Sequence, residues 1–226
     1  RFFLKFGLHY DDIFKSGLLT NFTIKRLFFK NSSLSVDAIF GDKSRYYVNY
    51  FIDNGYIPGI GINSSGMSFD LIKSQNNIAL ENWHWYRTEL FIQSIWKNKF
   101  AIGGGISYDV FNGKNLFTGD TRKVNYLNPY VFLKGDTQDS KSFPKRGYYT
   151  NIEAKSYDFI ESSTKEKAFQ IKADIRGNFP ITKYLTYRLR TFYGISFNTI
   201  DNFYQYRIGG IFEQDLVNFV KFNGYH

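Results

Sequence analysis

Apolar and polar side chains alternate one by one along this chain, in segments of about ten residues, the length a tilted strand needs to cross a bilayer. The segment from Lys167 to Pro180 is the clearest. One face carries Phe169, Ile171, Ala173, Ile175 and Phe179, and the other carries Gln170, Lys172, Asp174, Arg176 and Asn178. The next segment repeats the pattern, with Leu185, Tyr187, Leu189, Tyr193, Ile195 and Phe197 against Thr186, Arg188, Arg190 and Ser196. Earlier segments agree: Phe100, Ile102, Ile106, Tyr108 and Val110 oppose Ser107 and Asp109, while Tyr86, Leu90, Ile92 and Trp96 oppose Arg87, Glu89 and Gln93. Side chains that alternate in this way point to opposite faces of a pleated sheet, so each strand is built to meet two different environments.

This template predicts about twelve strands. They begin near Phe3, Leu18, Leu34, Arg45, Gly59, Trp85, Phe100, Tyr126, Gly147, Lys167, Tyr184 and Ile208. Turn-forming residues separate them, as in Asp53-Asn54-Gly55 and Asn112-Gly113-Lys114-Asn115. No linker or composition shift divides the chain, and residues 1–226 read as one domain. An antiparallel sandwich also alternates, but its strands average five or six residues. Segments twice that length favour a transmembrane antiparallel β-barrel. The polar faces support it, since Glu153, Lys155, Lys172, Asp174, Arg176, Arg188 and Arg190 put both signs of charge on consecutive strands, as suits a wet lumen. Those seven residues either line a pore or form an ion-pair network that fills one, because buried charges need partners in both cases.

Composition narrows the function. Aromatic residues make up 20% of the chain, with 25 Phe and 18 Tyr, which suits rings placed at water–lipid boundaries. The net charge of +9 is spread along the chain without a basic cluster or known module, so nucleic acid is not an expected partner. No apolar run of about eighteen residues marks a transmembrane helix. Arg1 opens straight into a strand-like run with no signal peptide, as expected of a mature or trimmed segment. The absence of cysteine excludes disulfides and Cys-based zinc sites. His9, His84 and His226 lack metal-ligand spacing. No G-x-S-x-G elbow is present, and Gly103-Gly104-Gly105 lies inside a strand, where it lets the strand bend or a neighbour approach. No catalytic residue, cofactor or metal is therefore expected in this segment.

Two stretches resemble known barrels. The run Asp136-Thr-Gln-Asp139-Ser-Lys-Ser-Phe143-Pro144-Lys-Arg146-Gly147-Tyr148 is similar to the entry into a late strand of BamA-type outer-membrane barrels, the superfamily of assembly factors and two-partner secretion pores. The order that follows is also similar: a strand ending near Phe179-Pro180, another with arginines, then Asn202-Phe203-Tyr204 through Gly209-Gly210. In that family such a segment leads into a long loop folded into the lumen. The opening, Gly7-Leu8-His9-Tyr10-Asp11-Asp12-Ile-Phe-Lys-Ser16, with Leu34-Ser-Val-Asp37 and Gly41-Asp42-Lys43-Ser44-Arg45-Tyr46, resembles a narrower branch. That branch is the C-terminal barrel of patatin-like phospholipases of Bacteroidota. The assembly factors carry an Arg-Gly tip on the lumen loop, whereas here Ile-Phe-Glu-Gln-Asp follows Gly209-Gly210.

The resemblance implies a sixteen-stranded barrel, with eight strands before Phe143-Pro144 and about four more beyond this sequence, because open strand edges cannot face lipid. It implies a non-catalytic barrel in the bacterial outer membrane that anchors or exports an N-terminal lipase. The alternatives are a BamA-like assembly or two-partner secretion factor, and a secreted glycan-binding β-sandwich. Expected partners are outer-membrane lipid, lipopolysaccharide, the outer-membrane assembly machinery during insertion, and a second copy in a homodimer.

Overall fold

The computed structural model describes residues 2–11, 15–41, 44–73, 78–116, 118–140, 143–159, 167–198, 202–209 and 219–221. Eleven strands run in chain order: β1 (Phe2–Asp11), β2 (Lys15–Lys25), β3 (Ser32–Gly41), β4 (Arg45–Ile52), β5 (Gly59–Lys73), β6 (Ile78–Trp96), β7 (Phe100–Asn115), β8 (Thr121–Asp136), β9 (Gly147–Phe159), β10 (Ala168–Pro180) and β11 (Thr186–Phe197). Each pairs antiparallel with the next, giving one continuous meander whose outer members among the described residues are β1 and β11. A single sheet, rather than two facing ones, departs from the sandwich alternative. Eight strands precede Phe143-Pro144, as the resemblance implies.

Register explains why the alternation is so regular. Ile92 pairs with Gly104, Gly104 with Val131, Val131 with Ala154, Ala154 with Ile171 and Ile171 with Ile195, so one row across six strands is apolar. A slip of one residue in any pair would move a whole strand's apolar set to the other face. The apolar face is exposed throughout, with Phe6 68%, Leu90 60% and Val131 61% accessible.

The opposite face differs from the sequence expectation in one respect. It is polar, but its upper part between β5 and β10 is filled with rings and other apolar side chains: Phe69, Trp83, Trp85, Phe111, Tyr126 and Tyr157 are all buried there. Alternation assigns parity but does not tell a ring that meets lipid from a ring that meets its own interior. Glycines on this face make the space. A Cβ at Gly113 would stand 2.4 Å from the Trp83 ring, and one at Gly105 would press on Phe91. The Asn112–Asn115 run, expected as a turn, is therefore the end of β7, and the chain turns just beyond it, where Asn115 Oδ1 accepts from the Thr118 amide at 3.1 Å.

The twelfth expected strand is also corrected. Residues Arg207–Gly209 (β12) do not extend the meander. They form a short parallel ladder with Phe219–Lys221 (β13), apart from the eleven-stranded sheet. Three residues lack the length to cross a bilayer.

Candidate functional site

The polar face is concave, since side chains from β3 to β9, among them Asn49, Asn63, Glu89, Lys134 and Glu153, enclose one cavity of about 270 Å³. A second cavity of about 470 Å³ lies beside it, lined by Asp37, Arg45, Tyr47, Arg87 and Glu89.

Asp109 on β7 is the centre of this wall and is fully buried. Arg87, its cross-strand neighbour on β6, grips it with two guanidinium nitrogens, Nη2 lying 3.0 Å from Oδ2. The Trp85 indole donates to Oδ1 at 3.3 Å and the Asn128 amide to Oδ2 at 2.6 Å. The fifth bond comes from outside the sheet. The Tyr204 hydroxyl donates to Oδ2 at 2.7 Å and accepts from Asn128 at 3.2 Å. Such a carboxylate, with a bidentate arginine and three further donors, has its lone pairs engaged, which is what a buried charge requires.

Tyr204 closes a 3-10 turn, Asn202–Tyr204, in the segment after β11. That turn packs on the aromatic part of the wall. Phe203 stacks on Phe111 with centroids 4.3 Å apart and meets Trp83 edge-on at 4.6 Å. The Tyr204 ring sits among Tyr126, Tyr157 and Phe111, and its own accessibility is 0%. Gln170 ties the backbone down, its amide nitrogen donating to Tyr204 O at 2.9 Å while its oxygen accepts from the Tyr157 hydroxyl at 2.8 Å. Tyr206 lies over Gly194, where a Cβ would come within 2.5 Å of the ring, and donates to Ile171 O at 3.2 Å. The segment is thus fixed to strands from β6 to β11.

The seven charged residues singled out from sequence share this face. Lys172 pairs with Glu153 at 3.0 Å. Asp174 takes Arg176 at 2.6 Å and Arg190 at 3.0 Å. Arg188 donates to Asn178 Oδ1 at 3.0 Å. Lys155, nearly buried, lies over the rings of Tyr130 and Tyr157 at 5.3 and 5.8 Å. Cross-strand register brings most of these together: Lys172 faces Glu153 and Arg176 faces Arg190 directly. Two carboxylates, Glu153 and Asp174, thus hold three of the five cations, while Lys155 rests on rings and Arg188 on an amide oxygen.

Asp109, Asn128, Gln170 and Tyr204 were not singled out from sequence. The parity of Asp109 and Arg87 was legible, but the Tyr204 contact spans 95 residues and left no periodic trace.

The family-motif residues have structural roles. Phe143 is exposed in the β8–β9 turn, Pro144 is buried, and Arg146 donates its amide to Asp139 Oδ1 at 3.3 Å. Gly147 opens β9 at φ 99°, a conformation that disfavours side chains, and a Cβ there would stand 2.3 Å from Thr137 O. Gly209 ends β12, and Gly210 lies outside the described residues. Of the histidines, His84 shares a 2.8 Å hydrogen bond between Nδ1 and Ser68 Oγ. The side chains of His9 and His226 lie outside the described residues.

Comparison with known proteins adds three findings. A family model described as the OMP85 superfamily matches residues 1–226. The crystal structure of BamA from Haemophilus ducreyi lacking POTRA domains 1-3 is similar in fold, with a TM-score of 0.69 at 16% identity, covering 93% of this chain and 44% of that one. No curated protein matches the chain.

Proposed function

Because the chain belongs to the OMP85 superfamily, we propose that it is a non-catalytic outer-membrane barrel that anchors or exports an N-terminal patatin-like lipase domain. The apolar row faces acyl chains and the charged face forms the lumen. The observation that carries a structural rather than catalytic role is the Asp109–Arg87–Tyr204 cluster. It commits the most buried charge of the wall to holding a returning segment, and Glu153 and Asp174 beside it are engaged by Lys172, Arg176 and Arg190. The lipase assignment rests on the opening motif, Gly7 to Ser16 with Leu34 to Asp37 and Gly41 to Tyr46, and on the Ile-Phe-Glu-Gln-Asp sequence where assembly factors carry Arg-Gly. Bacteroidota is the source that this motif favours.

The BamA-like fold supports a second reading, an assembly or secretion factor with periplasmic repeats upstream. Both readings share the outer membrane, its lipids, lipopolysaccharide and the insertion machinery, with a homodimer as a further expectation. The full-length protein decides between them. We expect it to fractionate with outer membranes, to show heat-modifiable gel mobility in detergent, and to hydrolyse phospholipid through a serine upstream of residue 1. Repeated small α/β modules upstream, with no hydrolysis, would transfer the assignment to the assembly factor. A protein soluble without detergent would end both readings.

A further inference from the structure

The apolar face carries a groove of about 880 Å³ along β5–β8, lined by Pro58, Ile60, Leu90, Ile92, Ile102 and Val131. Its floor passes over Gly104, which has only a hydrogen where its cross-strand partners Ile92 and Val131 have branched side chains. From Ile102 to Tyr108, both lining residues, the groove follows β7 for about 20 Å at the rise of a strand, the scale of an extended membrane acyl chain. A uniformly packed lipid-facing sheet has no such recess.

The mouth of the groove has a turn with two lysines, next to the end of β8, where the Asp136 amide donates to Lys99 O at 2.7 Å. Between Ser94 and Ile102, both lining it, the chain turns through Trp96-Lys97-Asn98-Lys99-Phe100, with two lysines and no carboxylate. All five residues are exposed, and Trp96 and Phe100 flank the lysines as a ring pair suited to the headgroup level. Apolar recess, interfacial rings and ammonium groups follow one another in the order of a phospholipid's chain, glycerol region and phosphate.

We propose that this groove is a specific site for one anionic glycerophospholipid, with an acyl chain over Gly104 and the phosphate on Lys97 and Lys99. The proposal rests on the membrane reading above. The test is native mass spectrometry of the full-length protein, released from detergent after incubation with phosphatidylglycerol or phosphatidylcholine. We expect the wild type to retain one phosphatidylglycerol and to prefer it at least tenfold over phosphatidylcholine. Thr88→Phe fills the groove from an exposed wall position, and Lys97→Glu with Lys99→Glu reverses the mouth. Each should lower retention at least tenfold.

Equal retention of both lipids by the wild type would overturn the site, as would undiminished retention in the lysine variant. Loss in the lysine variant with full retention in a folded Thr88→Phe would place the lipid outside the groove and also overturn it. If Thr88→Phe does not fold, the lysine variant and the headgroup preference decide. Heat-modifiable mobility is read on every sample. A heat-modifiable barrel without selective retention sinks this proposal alone, whereas a protein soluble without detergent sinks the membrane reading with it.

Discussion

Asp109 shows how one buried charge can organise a wall. Its five hydrogen bonds come from β6, β8 and a segment 95 residues away, so it reports on local pairing and on long-range closure together. Two substitutions separate these roles. Tyr204→Phe keeps the ring that packs on Tyr126 and Tyr157 but removes one donor from Asp109. It should cost about 1–2 kcal/mol, the worth of a hydrogen bond to a charged acceptor. Asp109→Ala leaves the Arg87 guanidinium without its carboxylate and should cost about 3–5 kcal/mol. Urea unfolding of the reconstituted protein measures both. Equal losses would mean that Arg87 finds another anion, with Glu89, 3.9 Å away, the nearest candidate. At this scale the sequence was half legible. Arg87 and Asp109 fall on the polar parity of their strands, but nothing in a single strand says which polar residue will be the centre.

Elements were the most legible level, because alternation and turn chemistry are both local. The exceptions share a cause. Asn112–Asn115 looks like a turn but continues β7, since Gly113 makes room for Trp83 on the neighbouring strand, and that neighbour is not visible in a short window. The β8–β9 connection shows the opposite case, where a sequence motif has a local reason. The Asp139 carboxylate accepts the amides of Lys145 at 2.9 Å and Arg146 at 3.3 Å, and those two hydrogen bonds hold it below the usual carboxylate range. A carboxyl depressed in the folded state contributes stability above its unfolded pKa of about 3.9 and loses it as pH falls through the folded value. Amide exchange at 143–147 should therefore quicken as pH drops below about 4, after correction for intrinsic rates, and Asp139→Ala should abolish that dependence. A pH response that survives Asp139→Ala would assign it to another group. On the strands, Ile171→Arg or Leu189→Arg on the apolar face should each cost about 2–4 kcal/mol near the bilayer midplane. Urea unfolding in lipid vesicles reads this directly, and changes within error would remove those faces from lipid.

The whole molecule has two unlike rims, and their difference predicts its orientation. One rim, formed by the connections β2–β3, β4–β5, β6–β7, β8–β9 and β10–β11, exposes Phe28, Phe29, Tyr56, Trp96, Phe143 and Tyr184. Arg26, Lys30, Lys97, Lys99, Lys145, Arg146 and Lys183 are exposed among them, outnumbering the exposed Asp136 and Asp139. Rings with cations suit the headgroups of an anionic phospholipid leaflet. Towards the other rim β6 runs for 19 residues, well past the 9–11 that a tilted strand needs, and the segment carrying Tyr204 follows β11 on that side. The match between that rim and an anionic phospholipid leaflet predicts that the aromatic–basic rim faces the periplasm and the overhanging rim faces outward. This orientation brings the Tyr204 segment into the polar face from outside, at the level of Gln170, and puts the ion pairs of Lys172 and Asp174 beneath it. Because these 226 residues contain no cysteine, single probes can test it in a chain cleared of any other. Thr118→Cys, exposed in the β7–β8 turn, should react in intact cells with a maleimide too large to cross the outer membrane. Lys183→Cys, exposed in the β10–β11 turn, should react only after that membrane is permeabilised. The reverse pattern would invert the orientation and move the lysine rim to the cell surface. Labelling of both positions in intact cells would mean that the sheet does not cross the membrane, and the apolar row from Ile92 to Ile195 would then need a protein partner to cover it.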